Sequence, residues 1–260
     1  MNMDSVPIGV FFAAVIIIMV FAIEAGHRLG DAVRRRSEEE KEPPVSAKMA
    51  AILGLLGFIL AFTFGIVTDR YDDRKELVRN EANAIGTAYL RTDFMSEPDR
   101  SKTKNLFREY LDTRIAAAES RNLNKQHNAL IESTRIQRQL WDMAVVNAFK
   151  DMNSDVAALY IDALNQVIDI HALRVAVGMQ ARIPAGIWLV LYLLVILGMM
   201  GVGYQTAIAQ SARRSWATLI MAFSFSLVIM LIVSLDRPRS GFIMVSQQPL
   251  ADLRASMDVK

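Results

Sequence analysis

Four long stretches without a charged side chain constrain the fold of this chain more than any other feature. They are residues 5–23, 49–68, 183–212 and 215–235. Each is long enough for a helix that crosses the hydrocarbon core of a bilayer, which takes about 20 residues. With 53% hydrophobic residues, the chain is also too apolar for an ordinary soluble domain. The sequence therefore predicts an all-α polytopic membrane protein with four transmembrane helices, of which the third is placed at 183–205.

The first stretch has an alternative interpretation as a secretory signal peptide. No basic residue precedes it, however, and its apolar run is longer than the hydrophobic region of a usual signal peptide. Both properties favour a membrane helix.

One large polar region, residues 69–182, lies between the second and third apolar stretches. Apolar side chains recur in it near helical spacing, as at Ile136, Leu140 and Met143, and nothing in it is typical of strands with their turns. We therefore expect an extramembrane helical domain inserted between the second and third transmembrane helices. A charged linker with the composition of a solvated loop is expected at residues 24–48.

The last apolar stretch ends in an acid, a base and a proline. Asp236 and Arg237 are costly in hydrocarbon, so the membrane helix is expected to end there. Pro238 disfavours helical geometry at the residue before it, which also closes the helix.

The tail that follows, residues 236–260, is expected to hold a turn and one short helix. Gly241 belongs to the predicted turn. Ser246 is the candidate N-cap of the helix, and Pro249 is tolerated in its first turn.

The second apolar stretch carries the most information about function. No proline occurs between residues 49 and 91, so one helix is expected to continue from the membrane to about residue 91. One face repeats small residues that let membrane helices approach closely, namely Gly57, Ala61 and Gly65. A second face passes from apolar through acidic to neutral polar side chains in steps of four and three. Its members are Phe62, Ile66, Asp69, Asp73, Glu76, Asn80, Asn83 and Thr87.

Around the axis of an oligomer, this second face would form an apolar neck followed by a hydrogen-bonding vestibule, the features by which pores gate and select ions. The spacing alone favours a plainer interpretation, because any helix that leaves a membrane must become polar. Arg70 and Arg74 lie next to the acidic residues and could neutralise them, so the sequence leaves cation and anion passage equally open.

Basic residues indicate the orientation of the chain. The connection between the first two apolar stretches contains Arg34, Arg35 and Arg36, and the short connection between the last two contains Arg213 and Arg214. The positive-inside rule places both connections in the cytoplasm. The helical domain and both termini are then expected outside it, with the protein in the cell (inner) membrane. Further basic residues after the second and fourth stretches argue against this orientation.

The sequence contains no motif of an enzyme or a metal site. There is no cysteine, and His27, His127 and His171 lie on separate segments without ligand spacing. No phosphate-binding loop or nucleophile elbow occurs, and the glycine-rich residues 198–206 lie in an apolar stretch, where glycine serves helix packing. We expect no catalytic residue, metal or cofactor, and the net charge of +2 gives no argument for nucleic acid binding.

Three segments together resemble a known family. They are AFTFGIVTDRYDDRKELVRNEANAIGTAYLR at 61–91, RIPAGIW at 182–188 and LDRPRSGFIMVSQQPL at 235–250. They are similar to the bestrophin-like domain family, mainly bacterial membrane proteins whose domain has no assigned function. The resemblance covers about residues 50–255, and Arg239 departs from the aromatic residue more common in the family.

The resemblance implies a homo-oligomer, since true bestrophins are pentameric ion channels with the second membrane helix as the neck. In those channels the large domain and both termini are cytoplasmic, opposite to the orientation that the basic residues indicate. The resemblance also makes the tail a family signature, expected to dock on the helical domain. Two functions remain open: an oligomeric channel for inorganic ions lined by the second helix, or a non-conducting membrane protein whose helical domain binds a partner or senses the envelope.

Overall fold

The computed structural model describes residues 6–36, 42–120, 122–180, 182–209, 216–237 and 242–258, and these are all-helical, as predicted. The helices are α1 (Ile8–Arg36), α2 (Glu42–Arg91), α3 (Asp99–Glu119), α4 (Leu123–Ala148), α5 (Asp155–Gln180), α6 (Ala185–Ile208), α7 (Trp216–Asp236) and α8 (Gln248–Ser256). A short 3₁₀ turn, Thr92–Phe94, follows α2.

Five of the described helices are long and apolar enough to cross a membrane: α1, α2, α5, α6 and α7. Four of them overlap the predicted apolar stretches. The fifth, α5, was expected in the extramembrane domain, and it is the least apolar of the five.

The predicted linker, residues 24–48, is helical over most of its length, so the expectation of a solvated loop is wrong for the described part. α1 continues to Arg36 and α2 begins at Glu42, whereas residues 37–41 lie outside the described residues. The physical reason is tertiary packing. The Arg34 guanidinium donates a 3.0 Å hydrogen bond to the carbonyl of Ala207 at the end of α6, which holds the charged part of α1 as a helix.

The chain divides into two compact units. The first contains residues 1–71 and 182–244, and the second contains residues 72–181 and 245–260. α2 contributes its first 30 residues, up to Tyr71, to the first unit and the remainder to the second.

Glycine packing holds the first unit together. A side-chain carbon added at Gly26 would overlap the backbone of Met200, and one added at Gly203 would overlap the backbone of Ile23. A carbon added at Gly30, one turn after Gly26, would lie 2.8 Å from the carbonyl oxygen of Tyr204, one turn after Met200. These contacts advance together along α1 and α6, so the two helices run parallel and their backbones touch. The predicted packing role of the glycine-rich residues 198–206 is confirmed.

The ends of the helices in the first unit gather in two places. At one end, the Arg237 guanidinium donates to the carbonyl of Val6 (2.9 Å), and the Arg182 guanidinium donates to the carbonyl of Asp236 (2.6 Å). At the opposite end of α1, Arg34 reaches Ala207, as described above. There too, the Gln205 amide donates to the Ser46 hydroxyl at 3.1 Å, so the start of α2 lies beside the end of α6.

The second unit has its own apolar core. Its fully buried side chains come from α2, α3, α4, α5 and α8, and they include Ile85, Phe107, Leu140, Leu164 and Leu250. Burying a leucine such as Leu250 contributes roughly 2 kcal/mol, which is how a helix as short as α8 is held against its neighbours.

Candidate functional site

α2 has one packed face and one open face within the chain. Leu56, Leu60 and Val67 are buried in the first unit, and Val78 and Ile85 are buried in the second. These residues lie together on one side of an ideal helix, at multiples of about 100° per residue.

The eight residues of the predicted pore face lie on the other side of α2. Seven of them are exposed in the single chain: Phe62, Asp69, Asp73, Glu76, Asn80, Asn83 and Thr87. Ile66 is half-buried. The predicted set thus lies on one face of α2, which the described helices leave largely uncovered.

The predicted small-residue stripe is also unused within the chain. Gly57 and Ala61 are exposed, and Gly65 is half-buried. A side-chain carbon added at Gly57 or Gly65 would meet no atom within 4 Å. This distinguishes the stripe from Gly26 and Gly203, whose positions are already occupied by a neighbouring backbone.

Two residues of the open face were missed from the sequence. Leu55 is 51% exposed and Phe58 is 67% exposed, similar to Phe62 at 64%. They extend the face towards the start of α2 by the same steps of three and four. The same spacing is visible in the sequence, but the predicted face starts at Phe62, where the apolar residues approach the acidic ones.

The two arginines that could neutralise the acidic residues do not lie on the open face. The Arg70 guanidinium points to Asp236, with 3.8 Å between Nη1 and Oδ1. Arg74 is only 8% exposed. The open face retains Asp69 and Asp73, and the flanking Lys75 lies 3.6 Å from the carboxylate of Asp72.

The family signature after α7 is partly described. α7 ends at Asp236, where predicted, but Asp236 and Arg237 are buried rather than solvated. Asp236 accepts a hydrogen bond from the backbone N–H of Ile183 at 3.0 Å. Pro238 and Gly241 lie outside the described residues.

The second part of the signature precedes and begins α8. Gln247, not Ser246, is the residue at the N-cap position, although the Ser246 hydroxyl accepts from the backbone N–H of Gln248 at 3.2 Å. Pro249 lies in the first turn. α8 packs on α3 within the second unit, so the expected docking of the tail on the helical domain is confirmed.

A buried polar network in the second unit was also missed. Glu81 on α2 is fully buried and forms ion pairs with Arg114 on α3, at 3.0 Å, and with Arg174 on α5. The Tyr110 hydroxyl lies 3.3 Å from Glu81 and 3.1 Å from the His171 ring. Such a network joins helices far apart in sequence, so spacing along one helix carries no signal for it.

Burial shifts two ionisation equilibria in this network. It raises the pKa of the Tyr110 hydroxyl above its ordinary value, because the phenolate would be poorly solvated, and the charge on Arg114 opposes the rise. Burial also lowers the pKa of the Arg114 guanidinium. The tyrosine therefore remains a neutral hydrogen-bonding group. Within the described residues, no three histidine or acidic side chains are grouped to hold a metal ion.

The apolar helices long enough to span a membrane, together with a second helical unit that buries a polar network, define a multi-pass membrane protein. Two solved structures share this fold. A bacterial bestrophin homologue from Klebsiella pneumoniae, crystallised with a mutation, has a TM-score of 0.64 at 11% identity, covering 93% of this chain and 99% of that one. The crystal structure of a membrane protein variant has a TM-score of 0.64 at 12% identity, with 94% and 97% covered.

The chain belongs to the bestrophin-like family: the Bestrophin-like domain matches residues 10–250. The family predicted from the three sequence segments is thereby confirmed, and the match extends further towards the N-terminus than those segments did. No curated protein sequence matches this chain.

Proposed function

We propose that the protein is an oligomeric ion channel or permeation pathway whose pore is lined by α2. One observation carries the proposal: the open face of α2. A helix in a folded chain buries an apolar stripe, and α2 does so with Leu56, Leu60 and Val67. Its opposite face still carries large apolar side chains, followed by acidic and amide side chains. Copies arranged around an axis would turn this face into a neck and a vestibule.

The small-residue stripe supplies a means of assembly. The stripe of Gly57, Ala61 and Gly65 flanks the open face. A side-chain carbon added at either glycine would meet no atom within 4 Å. Small residues are what allow membrane helices of two copies to approach closely. Family membership supports a homo-oligomer, and a pentamer is the assembly that the resemblance to bestrophins suggests.

We propose four membrane crossings, by α1, the first part of α2, α6 and α7. The paired ends of the first unit support this number, because Val6, Arg182 and Asp236 lie at one end and Arg34, Ser46 and Ala207 at the other. α5 is assigned to the extramembrane domain. Its Arg174 is ion-paired to the buried Glu81, which suits a helix in an extramembrane domain better than one in lipid.

The proposed orientation has Arg34, Arg35 and Arg36 in the cytoplasm of a cell (inner) membrane. The parallel packing of α1 and α6 supports a common side for the ends of these two helices, and hence for the basic connections that follow them. The positive-inside rule then selects the cytoplasm. Residues 69–182 and both termini fall on the other side.

The alternative is a non-conducting protein whose helical domain binds a partner or senses the envelope. Exposed apolar side chains on the second unit favour it, in particular Phe149 and Met152 after α4, at 72% and 74% exposure. Such residues are common at interaction surfaces. A partner-binding protein needs no oligomer and carries no ion flux, so the two functions make different predictions.

The decisive experiment measures oligomeric state in detergent and then ion flux into liposomes containing the purified protein. A symmetric oligomer with flux above that of empty liposomes is expected. A monomer in both detergent and membrane would exclude the channel, because four spans in one chain surround no pore of their own.

A further inference from the structure

The C-terminal signature contacts the buried face of α2 through a relay of two side chains. The Arg174 guanidinium is ion-paired with Glu81 through Nη1, and its Nη2 donates a 3.0 Å hydrogen bond to Gln247 Oε1. The amide of Gln247 is itself oriented, because its Nε2 donates to the carbonyl of Val245 at 2.9 Å. All four residues lie in the second unit.

A second contact joins the same two elements. A side-chain carbon added at Gly86 on α2 would lie 3.3 Å from Leu253 Cδ1 on α8. Leu250 is fully buried in the core that also contains Ile85. Residues 245–257 therefore contact α2 at two places, through the polar relay to Glu81 and through the apolar contact at Gly86.

The contact at Glu81 lies on the buried side of α2, away from the side that would line the proposed vestibule. Asn80 and Asn83 are exposed on the open face of α2, and Glu81 lies between them in sequence on the buried face. A rigid helix moves as one piece, so a force applied at Glu81 displaces both amide side chains. Glu81 is also ion-paired with Arg114 at 3.0 Å, a contact that a substitution at Gln247 leaves in place.

We propose that residues 245–257 are a clamp that sets the position of α2 in the vestibule, with Gln247 and Arg174 as positioning residues. The proposal rests on the proposed channel function. It gives the family-signature tail a role in gating: the clamped tail holds Asn80 and Asn83 where conduction requires them. A single substitution can interrupt the relay, because a hydrogen bond from Arg174 to Gln247 connects it to the tail.

The chain offers a matched pair of variants to test the clamp. Gln247→Ala removes the acceptor for Arg174, whereas Gln248→Ala removes an exposed amide that bonds only to Asp252 within α8 among its side-chain contacts, at 2.7 Å. Gln247→Glu keeps an oxygen for the guanidinium but loses the amide that donates to the Val245 carbonyl, so it is expected to fall between Gln247→Ala and wild type. Leu253→Ala loosens the second contact without touching the relay, and it serves if Gln247→Ala does not fold.

Two readouts are made on the full-length protein in liposomes. Hydrogen exchange of the backbone amides of residues 78–87 is expected to be about tenfold faster in Gln247→Ala, the effect of losing one hydrogen bond to a charged group. Single-channel recording is expected to show an open-to-closed ratio lower by up to about tenfold, with an unchanged permeability ratio. Gln248→Ala should match wild type in both.

The outcomes separate the clamp from the channel. Wild-type protein without flux overturns the channel and the gating role together. Wild-type flux with Gln247→Ala and Gln248→Ala indistinguishable in both readouts overturns the clamp alone. Faster exchange with unchanged gating overturns the positioning role, because the tail would then be a structural support only.

Discussion

The carboxylate of Asp236, the last residue of α7, accepts a 3.0 Å hydrogen bond from the backbone N–H of Ile183, just before α6. The same carboxylate faces the Arg70 guanidinium at 3.8 Å. One acidic side chain thereby joins the end of α7 and the start of α6 to the middle of α2 within the first unit. This explains why an acid stands where an apolar helix ends, beyond the need to leave hydrocarbon.

Replacing Asp236 by alanine is expected to destabilise the protein by about 2–3 kcal/mol, because the buried N–H of Ile183 loses its acceptor and the partly buried Arg70 guanidinium loses its ion-pair partner. Thermal unfolding in detergent measures the effect. Asp72→Ala is the control, since its ion pair with Lys75 is exposed and such pairs contribute less than about 1 kcal/mol. Equal midpoints for the two variants would contradict the anchoring role.

Replacing a glycine by a larger residue should have different effects at a position packed against a neighbouring backbone and at an open position. Gly203→Val is expected to prevent folding, because the added atoms would overlap the backbone of Ile23 on α1. Gly57→Leu is expected to leave the single chain folded, since its added carbon meets nothing within 4 Å, and to weaken the oligomer. Light scattering after size-exclusion chromatography reports the assembly. A Gly57→Leu oligomer of wild-type size and stability would remove the stripe from the proposed interface.

Much of the fold was predictable from sequence because its signals are local. The length of the apolar stretches predicted the membrane helices. The absence of proline between residues 49 and 91 predicted that α2 is continuous. The helical extension of α1 was not predictable, since its charged residues are held by tertiary contacts such as the one from Arg34 to Ala207. The same holds for Glu81, which looks like one more acid on a polar helix until Arg114 and Arg174 are brought to it.

The orientation in the membrane is tested with introduced cysteines, since the chain has none of its own. Ser37→Cys reports on the connection between α1 and α2. Asn124→Cys reports on the helical domain at an exposed position and spares Asn122, whose side chain caps α4. We expect an impermeant thiol reagent added outside intact cells to label only position 124. Labelling of position 37 alone would establish the opposite, bestrophin-type orientation.

The negative charge of the side chains on the open face of α2 favours the passage of cations over anions. Asp69, Asp73 and Glu76 are exposed on it, whereas Arg70 and Arg74 are turned away. A ring of like charges at a low-dielectric mouth concentrates counter-ions. Wild-type channels are expected to prefer cations, and Asp69→Lys is expected to shift the reversal potential in a salt gradient towards anions. Asp252→Lys, on the surface of α8, is the charge-matched control. Anion preference in the wild type would refute this prediction while leaving the channel intact.

The apolar part of the open face should limit conduction. Phe58 and Phe62 are the most exposed large side chains on the first part of α2, one helical turn apart, so copies of both would face each other across the axis. Removing either ring widens an apolar constriction and makes it easier to wet, and Phe62→Ala and Phe58→Ala should each raise ion flux in liposomes. Phe21→Ala on α1 is the control, because that ring is also exposed, at 71%, but does not belong to the proposed pore-lining helix. Increased flux in Phe21→Ala as well would indicate a general loosening of the bundle. Flux equal to that of empty liposomes in wild type and both α2 variants would count against the channel, and the partner-binding function would then be favoured.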